Sequence, residues 1–197
     1  MNINISNIKL DNFILKNHEY LVDKNHYNNK SGQNEYRLYS YLSTFFNDCI
    51  ILDIGTKHGR SSVALSHNSN NKVITYDIQD RIINKNHNFY KKKNIKVKIG
   101  NILDDLNEDL VSKCKIVMID IDHYEKTEKK IIERLDELKF SGLILLDDIN
   151  HPYPDMNKAM KSLWNDINEK KYDLTSYGHG SGTGLVLMNT DINIILS

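Results

Sequence analysis

Residues 49–61 read Cys49-Ile50-Ile51-Leu52-Asp53-Ile54-Gly55-Thr56-Lys57-His58-Gly59-Arg60-Ser61. A short apolar run that ends in a carboxylate and a glycine suits a strand buried on both faces. Gly55 allows the backbone a tight turn, and Gly59 lets a helix begin close to a ligand. Ser61 and Ser62 suit the start of that helix, as caps or as partners of a bound carboxylate. The dinucleotide pattern Gly-x-Gly-x-x-Gly is not present, because Lys57 occupies the place of the second glycine. A glycine turn by itself often does no more than join a strand to a helix. What gives this one weight is the sequence around it.

The same unit recurs along the chain. Residues 73–77, 116–120 and 143–147 are further apolar runs, ending in Asp77, Asp120 and Asp147. Residues 95–99 alternate strictly, with Lys96 and Lys98 on one side, as expected of a solvated edge strand. Helical spacing appears between these runs. Leu38, Tyr41, Leu42 and Phe45 mark one helix over 35–46; Ile131, Leu135 and Leu138 mark another; Met156, Met160, Leu163, Trp164 and Ile167 mark a third. Strands alternating with helices predict an α/β fold, a doubly wound parallel sheet covered on both sides. Residues 172–176 and 185–189 have no helix between them and read as a closing antiparallel hairpin. The first 35 or so residues read as irregular, with a break at Ser31-Gly32.

Composition narrows the function. The chain has 197 residues, 26 of them Lys or Arg and 26 Asp or Glu. That balance excludes a broadly cationic nucleic-acid binder as the default, so no nucleic-acid partner is expected. Hydrophobic residues make up 40%, enough for a sizeable core in a single domain. No apolar run approaches the ~20 residues of a membrane span, and the first ten residues lack a signal-peptide pattern. Cys49 and Cys114 each adjoin an apolar run and read as buried thiols of a reduced, cytoplasmic compartment. One domain over 1–197 is expected, with 35–197 as its core and 1–34 as an extension or lid. Homo-oligomerisation stays open.

Ligands of an open parallel sheet bind beyond the carboxyl ends of its strands. Asp53, Asp77, Asp120 and Asp147 are therefore expected at one rim, with Asp122 and Asp148 beside them. So much like charge calls for cations or ligand hydroxyls to offset it. Asp77 follows the first turn by about 20 residues, where a carboxylate can accept hydrogen bonds from ribose hydroxyls. Asp120-Ile121-Asp122-His123-Tyr124 and Asp147-Asp148-Ile149-Asn150 end neighbouring strands, so their carboxylates can converge. Oxygen ligands of this kind favour Mg²⁺ or Ca²⁺ over zinc.

Asp53-x-Gly55-x-x-x-Gly59-x-Ser61, followed by Asp77, resembles the cofactor site of class I S-adenosylmethionine-dependent methyltransferases. The three-residue gap between glycines is similar to that of the catechol O-methyltransferase branch and of related metal-dependent small-molecule and sugar O-methyltransferases. The resemblance covers residues 35–189. It implies a Rossmann-like sheet of seven strands in the order 3-2-1-4-5-7-6, the seventh antiparallel. It also implies that Asp53, Gly55, Thr56, Gly59 and Ser61 hold the methionine part of S-adenosylmethionine, Asp77 the ribose, and Ile78, Asn101 and Ile102 the adenine. Many relatives carry an acidic residue where Asn101 stands. Asp120, Asp147 and Asp148 would bind a divalent cation, Mg²⁺ by preference, that lowers the pKa of an acceptor hydroxyl. His123 stands three residues after Asp120, where the catechol enzymes carry a lysine base, and would take the proton.

The expected activity is methyl transfer to a hydroxyl of a small polyhydroxylated acceptor, with a sugar or glycan favoured by the polar, histidine-rich rim. The rival readings are a nucleotide-binding oxidoreductase of similar fold and a non-catalytic cofactor- or partner-binding module. Weaker signals are the rigid His151-Pro152-Tyr153-Pro154 loop, His58 in the cofactor turn, and Gln33 before the first strand. The 177–184 loop reads as a hairpin turn more than a ligand loop, with His179 a substrate-contact candidate.

Overall fold

The computed structural model describes the whole chain apart from residues 26, 28, 83, 85 and 125 and the side chain of Ser31. In chain order the elements are β1 (Asn2–Ile5), α1 (Asn7–Asp11), α2 (Lys30–Ser43), β2 (Ile50–Ile54), α3 (Arg60–Leu65), β3 (Lys72–Asp77), β4 (Ile95–Ile99), α4 (Ile102–Asp105), α5 (Glu108–Ser112), β5 (Cys114–Ile119), α6 (Lys126–Glu137), β6 (Gly142–Asp147), α7 (Pro154–Asp166), β7 (Lys170–Asp173), β8 (Thr183–Met188) and β9 (Asn193–Leu196). Seven strands form one sheet in the order β4-β3-β2-β5-β6-β8-β7. Counted from β2, this is the order 3-2-1-4-5-7-6. The neighbours from β4 to β6 are parallel, and β8 lies antiparallel between β6 and β7. Among the described residues, no helix is long and apolar enough to cross a membrane.

The apolar runs become strands because both faces of the sheet are covered. Ile51, Val73, Ile116, Met118, Leu143, Leu145, Leu185 and Leu187 pack on one face with Leu38, Tyr39 and Leu42 of α2 and Val63 of α3. Leu52, Ile54, Ile74, Val117, Ile119, Ile144, Leu146 and Val186 pack on the other with Ile131 and Leu135 of α6 and Met160 and Leu163 of α7. The period of two puts alternate residues of each strand into different cores. The lysine-bearing β4 is an edge, paired only with β3. Its Lys98 Nζ lies 2.6 Å from Asp105 Oδ2.

The first 35 residues are more ordered than their composition suggests. β1 pairs in parallel with β9, from Asn2 opposite Asn193 to Ile5 opposite Leu196. Ile3 and Ile5 are fully buried, and the Tyr41 hydroxyl of α2 donates to the Asn4 carbonyl at 2.8 Å. Ser31-Gly32 is not a break. The Asn29 side chain accepts the Gly32 N–H at 2.8 Å, so α2 is capped at Asn29 and starts at Lys30. The helix therefore begins five residues before the start expected at residue 35. Farther along, Arg60 of α3 donates to the Asp23 carboxylate and ties the segment after α1 to the helix behind the first turn.

Gly55 closes β2 against β5. Its φ is +109°, and a Cβ there would lie 1.7 Å from the Asp120 carbonyl oxygen. Backbone strain and overpacking act together at this point, so Gly55→Ala is expected to destabilise the fold by about 3 kcal/mol or more. Chemical denaturation without added ligand measures it.

Candidate active site

A cleft of about 890 Å³ opens beyond the carboxyl ends of β2, β3, β5 and β6. This is near the top of the range for ligand pockets, about 300–1,000 Å³, which leaves room for a nucleoside-sized group and a second small molecule. One end is lined by Gly55, Thr56, Ser61, Asp77, Ile78, Asn101 and Ile102. The Asp77 carboxylate is held by two backbone amides, Lys57 N–H on Oδ2 at 2.9 Å and Gln79 N–H on Oδ1 at 3.1 Å. Each oxygen keeps a lone pair for a ligand hydroxyl. Asn101 caps α4 by accepting the Leu103 N–H at 3.1 Å, which leaves its amide NH₂ for a ligand. Ile78 is 71% exposed, an apolar side chain held at the cleft. At Gly100 nothing lies within 4 Å of where a Cβ would stand, so the backbone there borders open space.

Two residues expected to touch the cofactor do not line the cleft. Asp53 shares a face with Ile51, so its carboxylate turns under α3 rather than out to the rim. It is fully buried. Its Oδ2 accepts from the Ser62 hydroxyl and, at 2.9 Å, from the Thr75 hydroxyl of the adjacent strand. Oδ1 has no hydrogen-bond partner. Burial pushes the carboxyl up to about 6, against the hydroxyl hydrogen bonds. Gly59 serves the chain rather than a ligand. It caps α3 with φ +71°, and a Cβ there would strike the Phe89 ring at 2.4 Å.

The other end of the cleft is acidic and rich in imidazole. It contains Asp120, Asp122, His123, Asp147, Asp148, His151 and His179. The adjacent Asp147 and Asp148 separate. Asp147 is the last residue of β6 and shares the face of Leu143 and Leu145, towards α2. There it belongs to a buried group with Glu35 and His179. His179 Nε2 lies 2.5 Å from Asp147 Oδ1, and its Nδ1 is met by the Ser181 hydroxyl at 2.8 Å and the Ser181 N–H at 3.3 Å. Burial and the nearby Asp120 charge raise the Asp147 carboxyl. Burial alone would lower His179, but the contact with Asp147 overrides it and moves the imidazole upward.

Asp148 leaves the strand with φ +55° and enters a different set. His123 Nε2 is 3.4 Å from Asp148 Oδ2 and 3.4 Å from Asp120 Oδ1, and His151 Nε2 is 3.5 Å from Asp148 Oδ2. The three expected aspartates are linked through imidazoles: His123 lies between Asp120 and Asp148, and His179 Nε2, beside Asp147, is also 3.8 Å from Asp148 Oδ1. His123 has φ +58°, held by its N–H donating to Glu128 Oε1 at 2.8 Å.

Of the weaker signals, His58, His151, Tyr153 and His179 line the cleft and Gln33 does not. The 177–184 loop is more than a turn, since His179 anchors it to β6 and Asn150 N–H donates to the Ser181 carbonyl at 2.8 Å. Glu35, Tyr36, Arg81 and Ser181 also line the cleft and were not singled out. Glu35 and Tyr36 look in sequence like ordinary first-turn residues of α2. For Ser181 the signal was its place two residues after His179.

Residues 52–149, about half of the chain, match the family model of a methyltransferase domain. With the sheet order and the cleft, this makes the chain a member of the class I S-adenosylmethionine-dependent methyltransferases. Among solved structures it is similar to cofactor-bound Rv0187 from MTB (TM-score 0.61, 16% identity, covering 79% of this chain and 80% of that one). It is similar also to a candidate caffeoyl-CoA O-methyltransferase from Staphylococcus aureus (TM-score 0.58, 20% identity, 78% and 82%). A third is the SAH-bound Podospora anserina methyltransferase PaMTH1 (TM-score 0.55, 16% identity, 82% and 83%). At such identities the likeness is one of fold. No curated protein matches the sequence.

The buried Asp53 gives a pH signature. Its folded pKa, about 6, lies above the ordinary 3.8. The folded state therefore holds the proton more tightly, and stability falls as pH rises through this window. Asp53→Asn removes that dependence. Relative to the parent it should gain about 2 kcal/mol between pH 4 and pH 7, read from denaturation curves at both.

Proposed function

We propose that the protein transfers the methyl group of S-adenosylmethionine to a hydroxyl of a small polyhydroxylated acceptor, a sugar or glycan. The observation that carries the reading is that one continuous cleft joins the Asp77 end to the Asp120–His123 end. Bound S-adenosylmethionine supplies a methyl group already activated on a sulfonium. Gly55, Thr56 and Ser61 would meet its methionine part, Asp77 would accept from the ribose hydroxyls, and Ile78, Asn101 and Ile102 would border the adenine. Asp53 supports this end from beneath, by fixing Ser62 and Thr75.

At the acceptor end, Asp120 is 33% exposed at its side chain, with His123 beside it. The pair takes the proton of the acceptor hydroxyl as the oxygen attacks the methyl carbon. Tyr124 and Tyr153 line this end, 53% and 67% exposed, and offer ring faces to the apolar side of a sugar. Holding oxygen and methyl carbon in line supplies much of the rate. The Mg²⁺ implied by the resemblance finds no all-oxygen cradle, because His179 engages Asp147 and imidazoles flank Asp120 and Asp148. No step in this reading depends on Mg²⁺.

Calorimetry with S-adenosylhomocysteine, using NAD as the control, tests the cofactor end. The homocysteine nucleoside should bind and NAD should not, and Asp77→Ala should weaken binding roughly tenfold or more. Binding of NAD alone would favour the oxidoreductase instead. Labelled methyl transfer to a panel of sugars tests the acceptor end. Asp120→Asn should slow it by about 10²-fold or more with the nucleoside affinity unchanged.

A further inference from the structure

We infer that His123, Asp148 and His151, with Asp120 beside them, form a site for a divalent transition-metal ion such as Zn²⁺, Co²⁺ or Mn²⁺, in preference to Mg²⁺. The inference concerns the acceptor end of the proposed methyl-transfer cleft, but rests on the ligand set alone.

The distances carry the argument. One ligand atom from each of His123, Asp148 and His151 lies within 4.8 Å of the others. The separations between imidazole Nε2 and carboxylate oxygen are 3.4 Å for His123–Asp148, 3.5 Å for His151–Asp148 and 3.4 Å for His123–Asp120. These are longer than the usual N–H···O hydrogen bond of about 2.7–3.2 Å. They match the edge of a coordination polyhedron, about 3.0–3.4 Å when each ligand stands about 2.1 Å from a central ion. The neighbouring His179–Asp147 pair shows the alternative. At 2.5 Å it is a direct hydrogen bond with no space between its partners.

Burial points the same way. His123 and His151 are buried, and Asp148 Oδ1 is enclosed without a hydrogen-bond partner. The two imidazole rings are neighbours, with centroids 5.3 Å apart and planes tilted by 37°. The His123 backbone is held in the left-handed region, where non-glycine residues are uncommon, and this conformation brings the ring to the site. Two imidazoles and one or two carboxylates suit borderline transition metals, whereas Mg²⁺ takes oxygen and keeps its waters.

Loading has a structural consequence. The Tyr153 N–H meets His151 Nδ1 at 3.1 Å. Ligation through Nε2 places the proton on Nδ1, so this contact must open and the 151–153 turn must shift.

The test uses the full, tag-free chain after chelation, titrated separately with Zn²⁺, Co²⁺, Mn²⁺ and Mg²⁺ by calorimetry, with visible absorption recorded for Co²⁺. Zn²⁺ and Co²⁺ should bind at one equivalent, roughly 100-fold or more tighter than Mg²⁺, and Co²⁺ should show the ligand-field bands of a nitrogen-containing site. His151→Gln and Asp148→Asn should each weaken Co²⁺ binding about tenfold or more with the circular dichroism spectrum unchanged. His87→Ala, at a distant imidazole, should leave it unaltered. Equal affinity for Mg²⁺, absence of binding by any ion, or indifference to both site variants would overturn the inference. If one site variant does not fold, the other decides. S-adenosylhomocysteine affinity on the same samples reports the methyltransferase reading independently of the ion.

Discussion

Successive side chains of a strand leave on opposite faces, and at the ends of β2 and β6 this geometry decides what each carboxylate can do. Asp53, two residues after Ile51, is carried under α3, where hydroxyls of Ser62 and Thr75 receive it. Asp147, two residues after Leu145, is carried towards α2 and meets His179. Asp148 lies one residue on, at a turn in the backbone, and opens to His123 and His151. Acids adjacent in sequence thus meet different principal partners, with His179 within reach of both. A register slip of one residue in either strand would exchange the buried and open positions and put a carboxylate in the apolar core.

The cleft is built from groups that cost stability. Burial raises the carboxyls of Asp53, Glu128 and Asp147. Each has at least one hydrogen bond in return: Asp53 from Ser62, Glu128 from the His123 N–H, and Asp147 with His179. Such partial compensation is typical of functional clefts, where local stability is given up for a particular arrangement of charge. The apolar layers on both faces of β2, β5 and β6 supply the rest.

The architecture was legible because its signals are local. Four apolar runs ending in aspartate, a lysine-bearing edge and a closing hairpin point to the observed strand order once the resemblance supplies the topology. The lining of one end of the cleft was legible for similar reasons, since Gly55, Thr56, Ser61, Asp77, Ile78, Asn101 and Ile102 follow directly from strand ends. Asp53 was misplaced because proximity to a rim was counted without its face. The acidic, imidazole-rich end was harder to read. His151 and His179 reach Asp148 and Asp147 through loops whose paths depend on tertiary packing, so composition showed histidines near the rim but not their partners. β1 and β9 were missed for a related reason. Each is only four residues long, and the pairing that makes them strands joins positions nearly the whole chain apart.

That last pairing bears on how the molecule is made. Asn2 lies opposite Asn193, so the small sheet has the largest loop to close. During synthesis β2 to β6 can assemble while the chain is still emerging, whereas Ile3 and Ile5 must wait for residues 193–196 before gaining their strand partner. The cleft-forming sheet can therefore be in place before the terminal strands pair. β1 leaves the ribosome well before its partner strand and is among the last segments to settle, so until then Ile3 and Ile5 are apolar side chains without their strand partner.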